Sequence, residues 1–447
     1  MKTLLERTKR SALDVIVDHK VPIGRMALLS PHTRRIKSLK FTSNPWTDIC
    51  MFSETNSGPL PLLHTLMIRN IIEATPDDFA SVTSPSPLLF SNAVNLRELY
   101  LSWTLFRSSS LNSFLFPNLT LFDLFAWSSE TFCASQLLDF LEASPTLRKI
   151  YINLVADISL LGVPREKVVV LPNVEIFDLT VGGGGSGYKM AAHISCPSAR
   201  HTSLTYRRYN DHTIPEEIFP DSSSWDAIVC QYSRSPVEQI ALKIIPNPII
   251  TCKLVFLSPG PSVIELCFKV DEDEDEDVPD LPPTEMRGKI FTQAARFVRN
   301  HPQLASLKRL HICRSPLWPD PVEIPHLANE IDVLFKSMGP LDELTISHCD
   351  LRPYFPSFLD FQEGYAKPVV FPLTKKFTIS HPRPGQHAAA IAEFAKSQHA
   401  LGIPLERVII HGESMPVGME ERLRPAWASS VALDYCSDES CESDCSD

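Results

Sequence analysis

The stretch 94–101 reads VNLRELYL, and its pattern recurs along most of the chain. The pattern is an apolar residue, two mostly polar residues, a second apolar residue, any residue and a third apolar residue. It returns as SPTLRKIYI at 144–152, LASLKRLHI at 304–312 and GPLDELTI at 339–346. The second and third apolar residues alternate with one other residue, so they lie on the same face of an extended strand. Each copy therefore predicts one strand with a buried face.

Thirteen sites carry this pattern, and their mean spacing is about 31 residues. A period of this length is typical of solenoid repeats, in which stacked units bury a core that no single unit could bury alone. The first apolar residues of the sites are Ile36, Leu63, Leu96, Leu119, Leu147, Val174, Ala199, Val237, Val263, Leu307, Leu341, Thr374 and Leu405.

Short helical patterns such as QLLDFLEA at 136–143 lie between the strand patterns, and prolines often stand just before a strand. A helical crossover between strands favours parallel pairing, and proline at that place fixes a turn. The fold class predicted is therefore α/β, an irregular leucine-rich-repeat solenoid. It has a mostly parallel sheet on the concave side and short helices outside. An ordinary α/β domain with scattered amphipathic strands is the alternative.

Composition and charge indicate a soluble protein. No apolar stretch approaches ~18 residues, and the opening MKTLLERTKR lacks the apolar centre of a secretory signal. The eleven cysteines form no CxxC pair, which predicts free thiols and a cytoplasmic or nuclear location. The net charge of −11 comes from 271–277 and 437–447, and the rest has 42 basic and 41 acidic residues. This near-neutral body argues against nucleic acid as a partner.

Spacing and composition predict four segments. Repeats occupy 1–270 and 286–412, separated by an acidic, proline-rich, disordered insertion at 271–285. The segment 413–447 is predicted to be a disordered tail rich in acidic residues, cysteine and serine.

Patterns that could carry chemistry are incomplete. VGGGGSGYKM at 181–190 lacks the lysine that a phosphate loop places directly after its last glycine, so a flexible loop is favoured. The tail thiols of Cys436, Cys441 and Cys445 could hold a soft metal, but structural zinc needs four ligands on a folded scaffold. The tail serines suit an acid-directed kinase, with an unmodified tail as the alternative; they are Ser437, Ser440, Ser443 and Ser446.

Histidines give no catalytic arrangement either. His311, His348 and His381 lie on or just after predicted strands and could share one surface, but no nucleophile and base are paired by spacing. The sequence therefore predicts no catalytic residue, no cofactor and no metal.

The residue between the second and third apolar positions points away from the core of its repeat. Stacked repeats place these residues side by side, so they form a candidate partner-binding strand face. Its members are Tyr100, Asp123, Tyr151, Asp178, His311 and Thr345.

The opening LLERTKRSALDVIVD at 4–18, with the NLRELYLSW and SPTLRKIYI patterns, resembles the leucine-rich-repeat region of the F-box-like families of mushroom-forming fungi. The resemblance covers residues 1–412. In that family an F-box docks on the Skp adaptor of a cullin ubiquitin ligase, and the repeats present a recognition surface. Here a predicted strand begins at residue 13, which leaves no room for the box, so the chain is expected to bind the Skp adaptor only if an F-box is supplied. The asparagine that well-formed repeats place three positions after the last apolar residue is mostly absent, which predicts an irregular solenoid.

Three classes of function follow from these observations. The first is a non-enzymatic protein-recognition scaffold, whose specific form by resemblance is the substrate-recognition part of an SCF-type ubiquitin ligase. The second is an F-box-less repeat adaptor, competitor or relic without ligase association. The third, an enzyme within 199–300, has no supporting constellation. The expected state is a monomer with a protein partner of unknown identity, no nucleic acid and no membrane.

Overall fold

The computed structural model describes most of the strands and their turns. The residues described are 11–17, 27–42, 52, 60–68, 93–102, 116–126, 132–154, 158–182, 186–208, 239–247, 249–257, 263–271, 296, 298–299, 307–314, 333, 335–347, 374–380, 406–411 and 432–436. The chain forms two compact units, Met1–Tyr206 and Arg207–Asp447. The division that the sequence predicts at the acidic insertion stays a prediction.

The first unit is built on a parallel sheet with the strand order β1-β2-β3-β4-β5-β7-β10-β12. Every pairing from β1 to β10 is parallel, as the helical crossovers predicted. Its strands are β1 (Leu13–Val17), β2 (Ile36–Phe41), β3 (Thr65–Ile68), β4 (Glu98–Ser102), β5 (Leu121–Ala126), β7 (Lys149–Leu154), β10 (Ile176–Gly182) and β12 (His201–Arg208).

Smaller elements accompany this sheet. Two short parallel pairs are β6–β8 and β9–β11, from β6 (Phe132–Cys133), β8 (Ile158–Ser159), β9 (Val169–Val170) and β11 (Ile194–Ser195). The helices of this unit that the structure describes from end to end are a 3-10 helix (Ala27–Arg35), α1 (Ala134–Glu142) and α2 (Ser186–Ala191). Helix α2 begins inside the stretch 181–190, where the sequence predicted a loop.

A hydrogen-bonded turn precedes six strands of the first unit. In each turn the first apolar residue of the repeat donates its N–H to the carbonyl three residues earlier, as Leu119 does to Phe116 at 3.1 Å. Proline occupies the second turn position in five of the six, at 61, 117, 145, 172 and 197. Its fixed φ suits that position, which confirms the turn predicted from the prolines.

The core of the first unit is the stack of inward apolar residues. Leu96, Leu99 and Leu101 of one repeat are all buried, and the equivalent residues of the neighbouring repeats lie beside them. Helix α1 covers this stack with the predicted Leu137, Leu138 and Leu141 and also with Phe140, whose ring centroid lies 4.7 Å from that of Phe122.

The second unit, taken by itself, has antiparallel pairing among β15, β14 and β13 and parallel pairing beyond them. The strand order is β15-β14-β13-β16-β17-β18-β19-β20, with parallel pairing from β13 through to β20. Its strands are β13 (Gln239–Asn247), β14 (Ile249–Leu257), β15 (Val263–Asp271), β16 (Arg309–Arg314), β17 (Leu341–Ser347), β18 (Thr374–Ser380), β19 (Arg407–His411) and β20 (Ala432–Cys436).

The thirteen repeat sites all coincide with strands, so the predicted mostly parallel solenoid sheet is confirmed. Two features differ from the prediction. Strand β14 was not predicted, and it pairs antiparallel with both β13 and β15, so the repeat at Val263 does not adjoin the next repeat in sequence. Strand β20 lies within the segment predicted to be a disordered tail. Of the predicted insertion, only Asp271 is among the described residues.

Candidate functional site

Four of the predicted face residues form one row across neighbouring strands. Register pairs Tyr100 with Asp123, Asp123 with Tyr151, and Tyr151 with Asp178. We call these four residues the Tyr/Asp row. All four are half-buried, so each presents part of its side chain at the surface. Because neighbouring strands lie about 4.8 Å apart, aromatic and acidic side chains alternate at that interval.

The same row continues toward β2. Tyr100 pairs with Met67, and Met67 pairs with Lys40, which places an apolar thioether and a cation beyond the Tyr/Asp row. Both side chains are half-buried. The surface thus combines aromatic, apolar, acidic and basic groups, a composition that suits a protein partner better than a small molecule.

The other two predicted face residues lie in the second unit. His311 of β16 pairs with Thr345 of β17, and Thr345 pairs with Thr378 of β18. Thr378 is only 7% exposed, so the third residue of this row is buried and only the first two present a side chain at the surface. The predicted set therefore divides into a row of four in the first unit and a pair in the second. His348 and His381 lie outside the described residues.

A second row of polar side chains was not foreseen from the sequence. It consists of the residue just before the first apolar position of four successive repeats: Asn95, Asn118, Thr146 and Asn173. We call it the polar ladder. Each member donates a hydrogen bond to a turn carbonyl of the preceding repeat: Asn118 Nδ2 to Val94 O at 2.9 Å and Asn173 Nδ2 to Pro145 O at 3.0 Å, for example.

The remaining two rungs follow the same rule. Asn95 Nδ2 donates to Pro61 O at 2.7 Å, and Thr146 Oγ1 lies 2.9 Å from Pro117 O. The asparagine that the sequence mostly lacks is a different one, three positions after the last apolar residue, near the end of each strand. The signal was present at the beginning, in the recurrent Asn or Thr of VNL, PNL, PTL and PNV.

An open groove of about 460 Å³ follows the polar ladder along the edge at which the strands begin. Besides the four ladder residues it is lined by Arg97, Thr120 and Arg148. The guanidinium of Arg148 lies 3.7 Å from the carboxylate of Glu175, with both side chains exposed. The described residues that line the groove are all polar, and Arg97 and Arg148 give it positive charge.

Two of the described groups have clearly shifted pKa values, and neither lines the groove or belongs to the Tyr/Asp row. Burial raises the pKa of the Cys196 thiol because the thiolate would lose its hydration. The hydrogen bond to Asp139, at 2.5 Å, raises the pKa of Lys167, which also lies 3.3 Å from Glu142. Lys167 thereby ties its loop to helix α1.

The part of the chain that the structure describes contains neither a cluster of metal ligands nor a membrane-spanning helix. No three His, Cys, Asp or Glu side chains there converge as metal ligands do. Within the same residues, no helix is long and apolar enough to cross a bilayer. Cys436 lies in β20, whereas Cys441 and Cys445 are outside the described residues.

Comparison with known proteins gives no relative: no family model matches the chain, and no curated protein matches it in sequence.

Proposed function

We propose that this protein is a non-enzymatic recognition scaffold that binds a protein partner through the Tyr/Asp row. The observation that carries the proposal is the alternation of Tyr100, Asp123, Tyr151 and Asp178 on four neighbouring strands of one sheet. Tyrosine supplies a large apolar area with a polar tip and is enriched among residues that dominate binding energy. A repeat array can offer such a row without disturbing its core, since each repeat contacts only its neighbours.

The test of this proposal is loss of partner binding in Tyr100→Ala/Tyr151→Ala. The tagged protein is used to purify partners, which are identified by mass spectrometry and then measured in direct binding with the purified partner. We expect a loss of about 30-fold or more, since central tyrosines typically contribute about 2 kcal/mol or more.

The matched control is Leu161→Ala/Val170→Ala, which removes two apolar side chains that are 85% and 59% exposed in the same unit. These residues lie outside the main sheet, and the control should retain binding. Equal affinity of the tyrosine variant and the unmodified protein, at unchanged thermal stability, would contradict the proposal.

The specific form that we propose is the substrate-recognition part of an SCF-type ubiquitin ligase. It is supported by the resemblance of the repeat patterns to the fungal F-box-like families and by the repeat solenoid itself, which suits protein recognition. The alternative is an F-box-less repeat adaptor, or a relic, that acts without a ligase.

A pull-down with the Skp adaptor separates these two forms. We expect the 447-residue chain to capture no adaptor, and the same chain with an F-box fused ahead of Met1 to capture it while keeping its partner through the Tyr/Asp row. If the unmodified chain captures the adaptor as well as the fusion does, the adaptor-binding segment lies within this sequence. If the fusion binds the adaptor but loses the partner, the ligase form is wrong while the scaffold proposal stands.

A further inference from the structure

In the first unit, a row of cations, one on every second strand, lies along the edge of the sheet at which the strands begin. The position just after the first apolar residue of each repeat forms a continuous backbone ladder. Each N–H of this position donates to the carbonyl of the same position in the preceding repeat, always at 2.8 Å. The residues in strand order are Lys37, His64, Arg97, Thr120, Arg148, Glu175 and Arg200.

The basic residues are therefore Lys37, Arg97, Arg148 and Arg200, one on every second strand, and we call them the basic row. All four side chains are exposed. Since neighbouring strands are about 4.8 Å apart, successive cations of the row are about 10 Å apart. Among the described residues, only Arg148 of the four has a carboxylate partner, Glu175 at 3.7 Å.

The equivalent position in the second unit shows that this charge pattern is not a general requirement of the repeat. There the ladder places Asp342 beside Lys308, and Glu406 beside Lys375, through backbone bonds of 2.7 and 2.8 Å. Lys375 Nζ also lies 3.2 Å from Asp342 Oδ1. Acids and bases alternate, so this row neutralises itself.

We propose that the basic row of the first unit binds an extended acidic peptide that carries a carboxylate on every third residue. In the extended polyproline II conformation a chain has three residues per turn and advances about 3.1 Å per residue, so every third side chain lies on the same face, about 9 Å from the next, which matches the spacing of the cations. Arginine suits such a site because its fixed fork of N–H donors matches the carboxylate geometry.

The groove beside the basic row supplies the acceptors that such a peptide needs. Asn95, Asn118 and Asn173 use their amide nitrogens on turn carbonyls, which leaves their oxygens available, among the described residues, to accept backbone N–H groups. Among the described residues, those that line the groove are Asn, Thr and Arg, with no aromatic side chain. Sites for single-stranded nucleic acid use aromatic platforms for base stacking, so a peptide is the ligand that the lining favours.

Two isomeric peptides test the proposal on the full-length protein. One has the sequence GESGESGESGES, with a glutamate at every third position, and the other, GSGSEEEEGSGS, has the same composition with the four glutamates in one block. Affinities are measured by fluorescence anisotropy at low and at physiological salt. We expect the spaced peptide to bind at least about fivefold tighter than the block, and more weakly at the higher salt, because these exposed charge pairs are screened.

Substitutions then test whether the spaced peptide binds to the basic row. Arg97→Gln/Arg148→Gln should weaken the spaced peptide by about 2- to 25-fold, since each exposed pair is worth about 1.4- to 5-fold. Arg97→Lys/Arg148→Lys should keep most of the affinity, and Glu175→Gln should raise it by up to about fivefold because a competing carboxylate is lost. The matched control Lys308→Gln/Lys375→Gln removes two cations from the self-neutralised row and should leave the affinity within about twofold.

The outcome also separates this surface from the Tyr/Asp row. Tyr100→Ala/Tyr151→Ala should bind the spaced peptide normally, so failure of either proposal can be recognised independently. The peptide proposal is overturned if the two peptides bind equally, if neither binds at ~1 mM, or if the control variant loses as much affinity as Arg97→Gln/Arg148→Gln. Tighter binding of a twelve-nucleotide oligothymidylate than of the spaced peptide would also overturn it.

Discussion

Thr146 illustrates how single polar side chains hold the repeats together. Its hydroxyl lies 2.9 Å from the carbonyl of Pro117 and 2.8 Å from that of Leu119, both in the preceding repeat. One hydroxyl has one proton to donate, so the two carbonyls share it. In the other rungs of the polar ladder an asparagine amide donates the equivalent hydrogen bond. These bonds satisfy turn carbonyls that have no partner in the parallel sheet.

We predict that Thr146→Val lowers the free energy of unfolding by about 0.5–1.5 kcal/mol, the usual net contribution of a hydrogen bond. Valine keeps the shape of threonine but cannot donate. Thr146→Ser keeps the donor and is the control, expected to lose less. Urea denaturation measures both, and a valine variant as stable as the unmodified protein would show that water replaces the bond without loss.

The buried thiol of Cys196 predicts a pH dependence of stability. The folded state holds the thiol proton above pH 9.0, the ordinary thiol pKa, where the unfolded chain releases it. The free energy of unfolding therefore decreases as the pH rises above about 9, by about 1.4 kcal/mol at pH 10 for this one group.

Urea denaturation at pH 7 and pH 10 measures this effect. The Cys196→Ala variant lacks the thiol, so its loss of stability between the two pH values should be smaller than that of the unmodified protein by about 1.4 kcal/mol. Equal losses would mean that the thiol ionises as easily in the folded state as in the unfolded chain.

At the scale of elements, helix α1 (Ala134–Glu142) shows how a short helix is held by its surroundings. A helix of nine residues is marginal by itself in water. Here five of its residues are buried against the sheet, and Lys167 joins Asp139 and Glu142 from a neighbouring loop. Packing, more than helix propensity, therefore stabilises it.

We predict that Phe140→Ala destabilises the protein by about 3–5 kcal/mol, because it removes a buried aromatic ring and leaves a cavity beside Phe122. The exposed Leu161 provides the control, and Leu161→Ala should stay within about 0.5 kcal/mol. Urea denaturation followed by circular dichroism measures both. A loss below about 1 kcal/mol for Phe140→Ala would indicate that α1 repacks around the gap.

At the scale of the whole molecule, charge is distributed very unevenly along the chain. The segment 272–283 holds seven acidic residues, whereas Asp271, directly before it, belongs to β15 and pairs with Ile249. The structure therefore places the first residue of the predicted insertion in the sheet.

Deleting 272–283 should change the free energy of unfolding by no more than about 0.5 kcal/mol, since a segment of this composition buries little apolar area. Ion-exchange chromatography should show the loss of seven negative charges. A deletion that begins at Val270 is the comparison, because it removes two paired residues of β15 and should be less stable. A loss beyond about 2 kcal/mol for the shorter deletion would mean that 272–283 packs against the body.

The positions of the strands were predictable because the pattern that makes them is local. The spacing of apolar residues such as Leu96, Leu99 and Leu101 indicates, within one repeat, which face of the strand is buried. A proline in the preceding turn indicates where a strand begins. Stacking of similar units then follows, because no repeat can bury its own apolar face. The sequence by itself therefore determined the thirteen strands, their parallel order over most of the chain and the alignment of Tyr100, Asp123, Tyr151 and Asp178.

Only the tertiary structure decided which distant backbones meet. Strand β14 is nearly continuous in its apolar residues, so its sequence does not state whether its partners run parallel or antiparallel to it. The polar ladder depends on the same kind of contact, because Asn118 becomes a rung only when Val94 of the preceding repeat presents its carbonyl. The basic row also arises from register, since Lys37, Arg97, Arg148 and Arg200 are far apart in the chain. These features rest on backbone hydrogen bonds between repeats, which a pattern within one repeat does not encode.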